Sequence, residues 1–313
     1  MQTSVVDASH IGKSAWYGRL YMTLSTICFA CVGATVKHIK GVGPLEKVWW
    51  RSVVSVLCTL LWHRKELFSL PPPKYWKTLL LRGACGHFAL WLFFTASMAL
   101  PVAVANVLGK VHPLAAAFFA FFFLDEKLYA RHFVGTALSI VGVILISNPS
   151  FGSINDQTII PVLAAVTSGV LSGAAYCCVR SLKVSQELEL YILLSFPFFS
   201  IPFSMKDAVS GFGKLDSLMI GQLVALGVLT QGGQVFLVRG MAHLPCAPAT
   251  QQMFVGSVFG VLLGVLMGEG LPPLNSWVGG VLILMSLYVA SRSSSPSLEK
   301  GVNVSSNGHS KPD

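Results

Sequence analysis

The chain alternates long apolar runs with short polar breaks. Ten runs stand out, at about 17–36, 44–62, 77–98, 101–124, 132–147, 159–179, 189–203, 217–239, 246–268 and 275–291. Several approach the ~20 residues needed to cross ~30 Å of hydrocarbon. A backbone in lipid must satisfy its own polar groups, so each run predicts a helix. No ten-residue alternation of apolar and polar positions supports a barrel. The connections are short and leave no room for a soluble domain. Residues 1–16 form a polar segment without the charged, short-apolar and cleavage-site pattern of a removable leader. Residues 292–313 are rich in Ser, Asn, Gly and Lys, and a disordered tail is expected there.

Composition narrows the class. The apolar set makes up 53% of 313 residues and charged residues only 11%, against roughly 25% charged in an average soluble domain. A soluble enzyme, a disordered chain and a disulfide-stapled secreted domain are excluded. A polytopic, all-α membrane protein remains. The net charge is +9, but the positive residues fall mostly between apolar runs and form no stripe. That is the signature of topology-setting loops, and no nucleic-acid partner is expected.

Ten crossings put both termini on one side. If that side is cytoplasmic, it holds Lys13, Arg19, Arg64, Lys65, Lys74, Lys77, Lys127, Arg131, Arg180, Lys183, Arg239, Arg292, Lys300 and Lys311. The other side holds Lys37, Lys40, Lys47, Lys206 and Lys214. The excess places both termini in the cytoplasm, with a plasma (or bacterial inner) membrane as the expected residence.

The two halves repeat. Leu100-Pro101-Val102-Ala103, Leu124-Asp125-Glu126-Lys127-Leu128 and Phe133-Val134-Gly135 recur as Leu244-Pro245-Cys246-Ala247, Met267-Gly268-Glu269-Gly270-Leu271 and Trp277-Val278-Gly279. Five crossings per half is an odd number, so the second half enters the membrane inverted. The repeats are assigned to 17–147 and 159–291, the arrangement common in alternating-access carriers.

This layout resembles the EamA branch of the drug/metabolite transporter superfamily, over about residues 17–291. The resemblance rests on the helix-Pro-helix-Glu motif of each half, on Glu46 with Arg51, on Leu81-Arg82-Gly83 and on His112-Pro113-Leu114. Gly232-Gly233-Gln234-Val235-Phe236, with Arg82-Gly83, looks most like solute carriers related to nucleotide-sugar transporters and like bacterial S-adenosylmethionine carriers. The resemblance implies a metabolite carrier with a central cavity between its halves, and makes Arg51 a family feature of gating or folding. It fixes no substrate. Lys110 departs from the neutral residue expected in many relatives.

Charge inside the spans carries the functional reading. An ionisable residue near the bilayer centre costs about 2.5–3.5 kcal/mol on insertion scales, so it faces the bundle interior. Lys110 sits mid-span, with Asn106 and Pro113 one turn either side on nearly one face. It either meets an anionic substrate or is held by helix carbonyls and Asn106. His112 falls off that face and reads as a kink residue before Pro113. Arg51 faces the cavity or snorkels, and its spacing from Glu46 makes a direct pair poor. Arg82, near a span end, reads as snorkelling. His87, Trp91, Thr95 and Met98 share one helical face that lines the cavity or packs; Trp91 would offer a stacking surface. In the other half, Tyr176 follows Ser172 by one turn. Gln234 and Gln252 either touch substrate or bridge helices, and Gln231 reads as a bridge.

None of the thirteen carboxylates falls in the middle of a run. This argues against carboxylate-based ion coupling. Exchange, facilitated transport or coupling through His87 or Lys110 remains. Glu126 and Glu269 read as markers of interfacial turns. Gly256, Gly260, Gly264 and Gly268, with the shorter pair Gly169 and Gly173, predict close helix packing inside the bundle, with a homodimer seam or a sliding surface as the alternative. Seven cysteines lie mostly within apolar runs, and Cys28-Phe29-Ala30-Cys31 reads as small fillers one turn apart. No metal-binding or hydrolase motif is present, so neither an enzyme nor a cofactor is expected. The expectation is a secondary transporter for a small organic anion or zwitterion, contacting membrane lipid. A non-transporting membrane scaffold or regulator of the same fold is the alternative.

Overall fold

A computed structural model describes residues 8–64, 70–100, 102–148, 159–182, 186–211, 215–268 and 270–291. They form α1 (Ala8–His38), α2 (Pro44–Trp62), α3 (Trp76–Ala99), α4 (Val102–Gly109), α5 (His112–Leu124), α6 (Ala130–Ser147), α7 (Ile159–Ser181), α8 (Gln186–Gly211), α9 (Ser217–His243), α10 (Cys246–Gln252), α11 (Val255–Leu266) and α12 (Leu274–Ser291). A single 3-10 turn, Pro73–Tyr75, leads into α3. Eight stretches among the described residues are long and apolar enough to span a membrane, with α4–α5 and α10–α11 each acting as one. Helix α2 has 19 residues, and the apolar part of α12 is shorter, Leu274–Val289.

The apolar pattern locates these helices well, with three departures. Helix α1 starts at Ala8, inside the stretch expected to be merely polar. Helix α8 continues to Gly211 and carries Pro197 and Pro202 within it, whereas the apolar run ends at about 203. The runs 101–124 and 246–268 are each broken in the middle. The tail over 292–313 lies outside the described residues.

The outer surface is oily. Phe118, Phe121, Phe122 and Phe123 are all exposed on α5, as are Leu57, Leu61 and Trp62 on α2. A water-soluble monomer rarely tolerates such contiguous apolar area, whereas lipid tails solvate it.

Inside, helices pack in matched pairs. Helix α1 lies on α9, and α7 lies on α3. Helix α5 meets α7, and α11 meets α1; α2 packs on α8 and α6 on α12. Glycines set the closest approaches. A Cβ on Gly142 would fall 2.6 Å from the Gly279 carbonyl oxygen, and one on Gly135 would press on Gln251 and the Ser286 backbone. Gly83 abuts the Ser195 carbonyl, while Gly227 abuts Val54. Ser14 Oγ lies 3.1 Å from His243 Nδ1, and Arg19, Leu287 and Tyr288 border one small pocket. The start of α1 and the end of α12 therefore occupy the same end of the bundle, hereafter the terminal end.

Candidate functional site

The two helix breaks build the centre of the molecule. Between α4 and α5, Lys110 N donates to Val107 O and Val111 N to Leu108 O, both tight i to i−3 bonds. Pro113 lacks the N–H that would bond Gly109 O. His112 Nδ1 lies 3.3 Å from that freed carbonyl. Between α10 and α11, Met253 N bonds Thr250 O and Phe254 N bonds Gln251 O in the same tight fashion. Gly256 stands there where the first half has Pro113. The helices resume at His112 and Val255, 143 residues apart. Phe254 stacks on His112 with centroids 6.3 Å apart, and Lys110 Nζ lies 5.8 Å from the Phe254 ring centre. Both breaks thus meet at one point.

A cavity of about 920 Å³ surrounds that point, within the range of small-molecule sites. It extends from Arg82 and Val179 to Leu271, Pro272, Pro273 and Ser276 at the end opposite the termini. Arg51, Arg82 and Lys110 all line it, and none of the described carboxylates does. Arg51 sits 4.8 Å above the Phe196 ring, while Arg82 donates to Gln234 Oε1 at 3.0 Å. The Nε atoms of both arginines have no partner. Phe29, Phe93, Phe196 and Tyr176 give the wall aromatic faces, and the Tyr176 ring meets His112 edge-on at 5.7 Å.

Of the sequence candidates, the fold brings Lys110, Asn106, Arg51, Tyr176 and Gln234 onto the cavity wall. His87, Trp91, Thr95 and Gln252 lie elsewhere. His87 is buried against α8, with Nδ1 3.2 Å from Ser200 Oγ and its ring tilted on Phe203. Trp91 is 46% exposed on the outer surface, and Thr95 folds its hydroxyl back onto Trp91 O. The helical period is right, but the face that turns inward carries Gly86, Ala89, Leu90 and Phe93. Gln252 donates to Thr23 Oγ1 at 3.1 Å and borders the small pocket at the terminal end. Gln231 bridges to Thr59 at 2.7 Å, as expected of a helix tie.

Sequence reasoning missed two wall residues. Arg82 is only 5% exposed and turns inward rather than snorkelling, because Gln234 offers a nearer acceptor than the headgroups. His112 lines the cavity because the helix breaks at Lys110, so ideal helical angles do not carry across the break. Glu46 and Arg51 do not bond each other: Glu46 lies against Gly211.

The glycine run corrects another expectation. Gly256, Gly260 and Gly264 line the cavity; Gly256 also touches Thr26 on α1, while Gly260 has nothing within 4 Å of an added Cβ. Gly268 ends the helix with φ +82°, a backbone angle that suits glycine. The pair Gly169 and Gly173 does carry tight packing: a Cβ on Gly169 would fall 2.6 Å from Gly109 O, and one on Gly173 2.8 Å from His112 O. These glycines clamp α7 against the first break. Gly260→Leu is therefore expected to keep the thermal stability of the parent while filling the cavity and losing uptake. Gly169→Leu should lower the melting temperature sharply, since overpacking against backbone typically costs about 1–3 kcal/mol or more. Melting curves in detergent beside vesicle uptake check both.

At the terminal end, next to Val179 of the cavity wall, lies a polar latch. Glu126 Oε1 accepts from Arg180 Nε at 2.9 Å, and Glu126 Oε2 accepts from Cys246 N at 2.7 Å. Arg180 also donates to Met241 O and Ala242 O. Glu126 is thus more than a turn marker, and the left-handed turn is made by Asp125, with φ 53°. Glu269 lies outside the described residues. Arg239 pairs with Glu189 at 2.9 Å at the same end. All seven cysteines are free, and no described cluster of His, Cys, Asp and Glu could hold a metal ion.

Residues 16–148 match the EamA-like transporter family. Over this stretch the chain is similar to that family. Relatives also align well beyond it, over 86–88% of the chain. The pseudopaline exporter CntI of Pseudomonas aeruginosa is 27% identical over 88% of this chain and 96% of its own length. Solute carrier family 35 member G1 of Mus musculus is 27% identical over 86% of this chain and 76% of its own. An uncharacterized transporter of Helicobacter pylori is 27% identical over 86% and 93%. A solved crystal structure shares the fold with a TM-score of 0.70 at 17% identity, over 90% of this chain and 97% of that one. The apolar helices make the chain a multi-pass membrane protein, and its sequence is similar to those of transporters.

Proposed function

We propose that the chain is a secondary transporter that moves a small organic anion, or a zwitterion held by its anionic group, by alternating access. One observation carries the reading: Arg51, Arg82 and Lys110 converge on a cavity whose wall bears none of the described carboxylates. Three cations held in such a place are costly unless something negative visits them. The aromatic wall supplies apolar contact for the rest of the cargo.

The architecture behind it is ten membrane helices in two inverted five-helix repeats. The matched packings of α1 on α9 and α7 on α3, and of α5 on α7 and α11 on α1, support this. So does the recurrence of the helix break after 143 residues. Broken helices meeting at mid-membrane are the usual place for substrate in such folds. The excess of Lys and Arg on the terminal side supports cytoplasmic termini. The cavity then faces away from the cytoplasm and is closed toward it by the Glu126–Arg180 latch.

The test is a panel of size-matched carboxylates, phosphates, amines and neutral solutes offered to purified protein. Anions are expected to raise its melting temperature and to enter proteoliposomes. Preferential stabilisation and uptake of amines would overturn the assignment, and so would a complete lack of uptake across the panel.

A further inference from the structure

The three cations of the central cavity stand as two poles rather than one cluster. Arg51 lies 4.8 Å from the centre of the Phe196 ring, and Arg82 Nη2 donates to Gln234 Oε1 at 3.0 Å. Phe196 and Gln234 also border, together with Arg51, a small recess behind the cavity wall. At Gly86 an added Cβ would fall 3.0 Å from the edge of Phe196 and 3.8 Å from Arg82 Nη1. Both guanidinium groups are therefore held around one ring and one amide, where α2 and α3 meet α8 and α9.

Lys110 has a different setting. Its ammonium faces Phe254, at the meeting point of the two helix breaks. The break that carries it stands beside Phe93, because an added Cβ on Gly109 would fall 3.8 Å from that ring. Gly86 and Phe93 are two turns apart on α3, or ~10 Å of helix rise. Between these levels α3 turns Ala89 and Leu90 to the cavity. The wall thus runs from paired guanidinium groups, over an apolar stretch, to an ammonium, and none of the described carboxylates lines it.

We propose, resting on the transport reading above, that the cargo is a dianion: an organic acid with two anionic groups at the ends of an apolar body. One end meets the arginine pole, whose planar forks suit a carboxylate or phosphate. The other meets the compact charge of Lys110. A monoanion leaves one pole unpaired in a low-dielectric cavity, which is costly. A zwitterion fares worse, because its own cation is pressed against the second pole, with none of the described carboxylates on the wall to receive it. The two poles therefore select against zwitterions and in favour of doubly charged acids.

The test compares three solutes of matched length: adipate, its monoamide adipamate, and the zwitterion 6-aminohexanoate. Each is titrated against the full-length protein in detergent, with melting temperature as the readout. Adipate is expected to half-saturate the response at a concentration at least about tenfold below either of the others, the scale of one charged hydrogen bond. In Lys110→Gln that advantage over adipamate should disappear, because both solutes then meet a single pole. A merely structural lysine would weaken the two alike and keep their ratio, and that result would overturn the second pole. Equal binding of adipate and adipamate by the parent would overturn the dianion while leaving carriage of anions intact. Tightest binding of 6-aminohexanoate would overturn it in favour of a zwitterion. A response to none of the three would also overturn it, and the wider solute panel then decides separately whether any anion is carried. Should Lys110→Gln fail to fold, the ratio of adipate to adipamate on the parent alone decides.

Discussion

Replacing Lys110 by Ala should abolish uptake of the anion while leaving the protein folded. Lys110 belongs to the tight turn that joins α4 to α5, but its side chain takes no part in the backbone bonds of that turn. Its nearest described interaction is the face of Phe254, 5.8 Å away, worth about 0.5–2 kcal/mol. Losing it should change stability little, and removing a desolvated ammonium offsets the loss. Transport is different. An anion seated between Arg82 and Lys110 would be left with an unpaired charge in a low-dielectric cavity, a loss of about 2–5 kcal/mol. Uptake should fall on the order of a hundredfold or more, and Lys110→Arg should recover part of it. Thr95→Val, on the outer surface of α3, should change uptake less than about twofold. Proteoliposome uptake with parallel melting curves measures all three. Unchanged uptake in Lys110→Ala would remove the lysine from the site.

Much of this was legible in residue order, and the failures share a cause. Hydrophobic runs located the spanning helices because lipid leaves the backbone one solution. Lys110, Arg51, Tyr176 and Gln234 were readable because a polar group in an apolar run has few places to go. Helix rotation was not readable. The stripe His87–Trp91–Thr95 is a real face, but whether it turns to the cavity depends on Ser200 and Phe203, more than a hundred residues away. Arg82 was misplaced for the same reason: its partner, Gln234, lies 152 residues on. The glycine run of α11 misled because small residues permit two outcomes, a close neighbour or an open wall. Only the packing around Gly169 and Gly260 distinguishes them. Broken helices hide from periodicity too, since Pro113 advertises one break and nothing comparable advertises the other.

The second large effect is expected at the latch, where Glu126→Gln should open the terminal end. Glu126 belongs to the first half of the chain, and both partners of its carboxylate belong to the second: Arg180 on α7 and the backbone of Cys246 at the start of α10. The chemistry at each point suits the other. The first N–H groups of α10 present partial positive charge to a carboxylate, and the last carbonyls of α9, Met241 and Ala242, take the guanidinium. Val179, next to Arg180, lines the cavity, so a motion that exposes the cavity to the terminal side is expected to part these groups. Neutralising Glu126 removes a charged hydrogen bond worth about 1.5–3 kcal/mol. The population opened at the terminal end should then rise roughly ten- to a hundredfold. The protein carries its own reporters: Cys177, Cys178 and Cys246 are free and buried behind the latch. A hydrophilic maleimide should label Cys246 at least about tenfold faster in Glu126→Gln than in the parent, with the cooperative melting transition retained. Equal labelling in the two proteins would mean that the closure is held elsewhere, and that the Glu126–Arg180 pair only steadies the helix ends it joins.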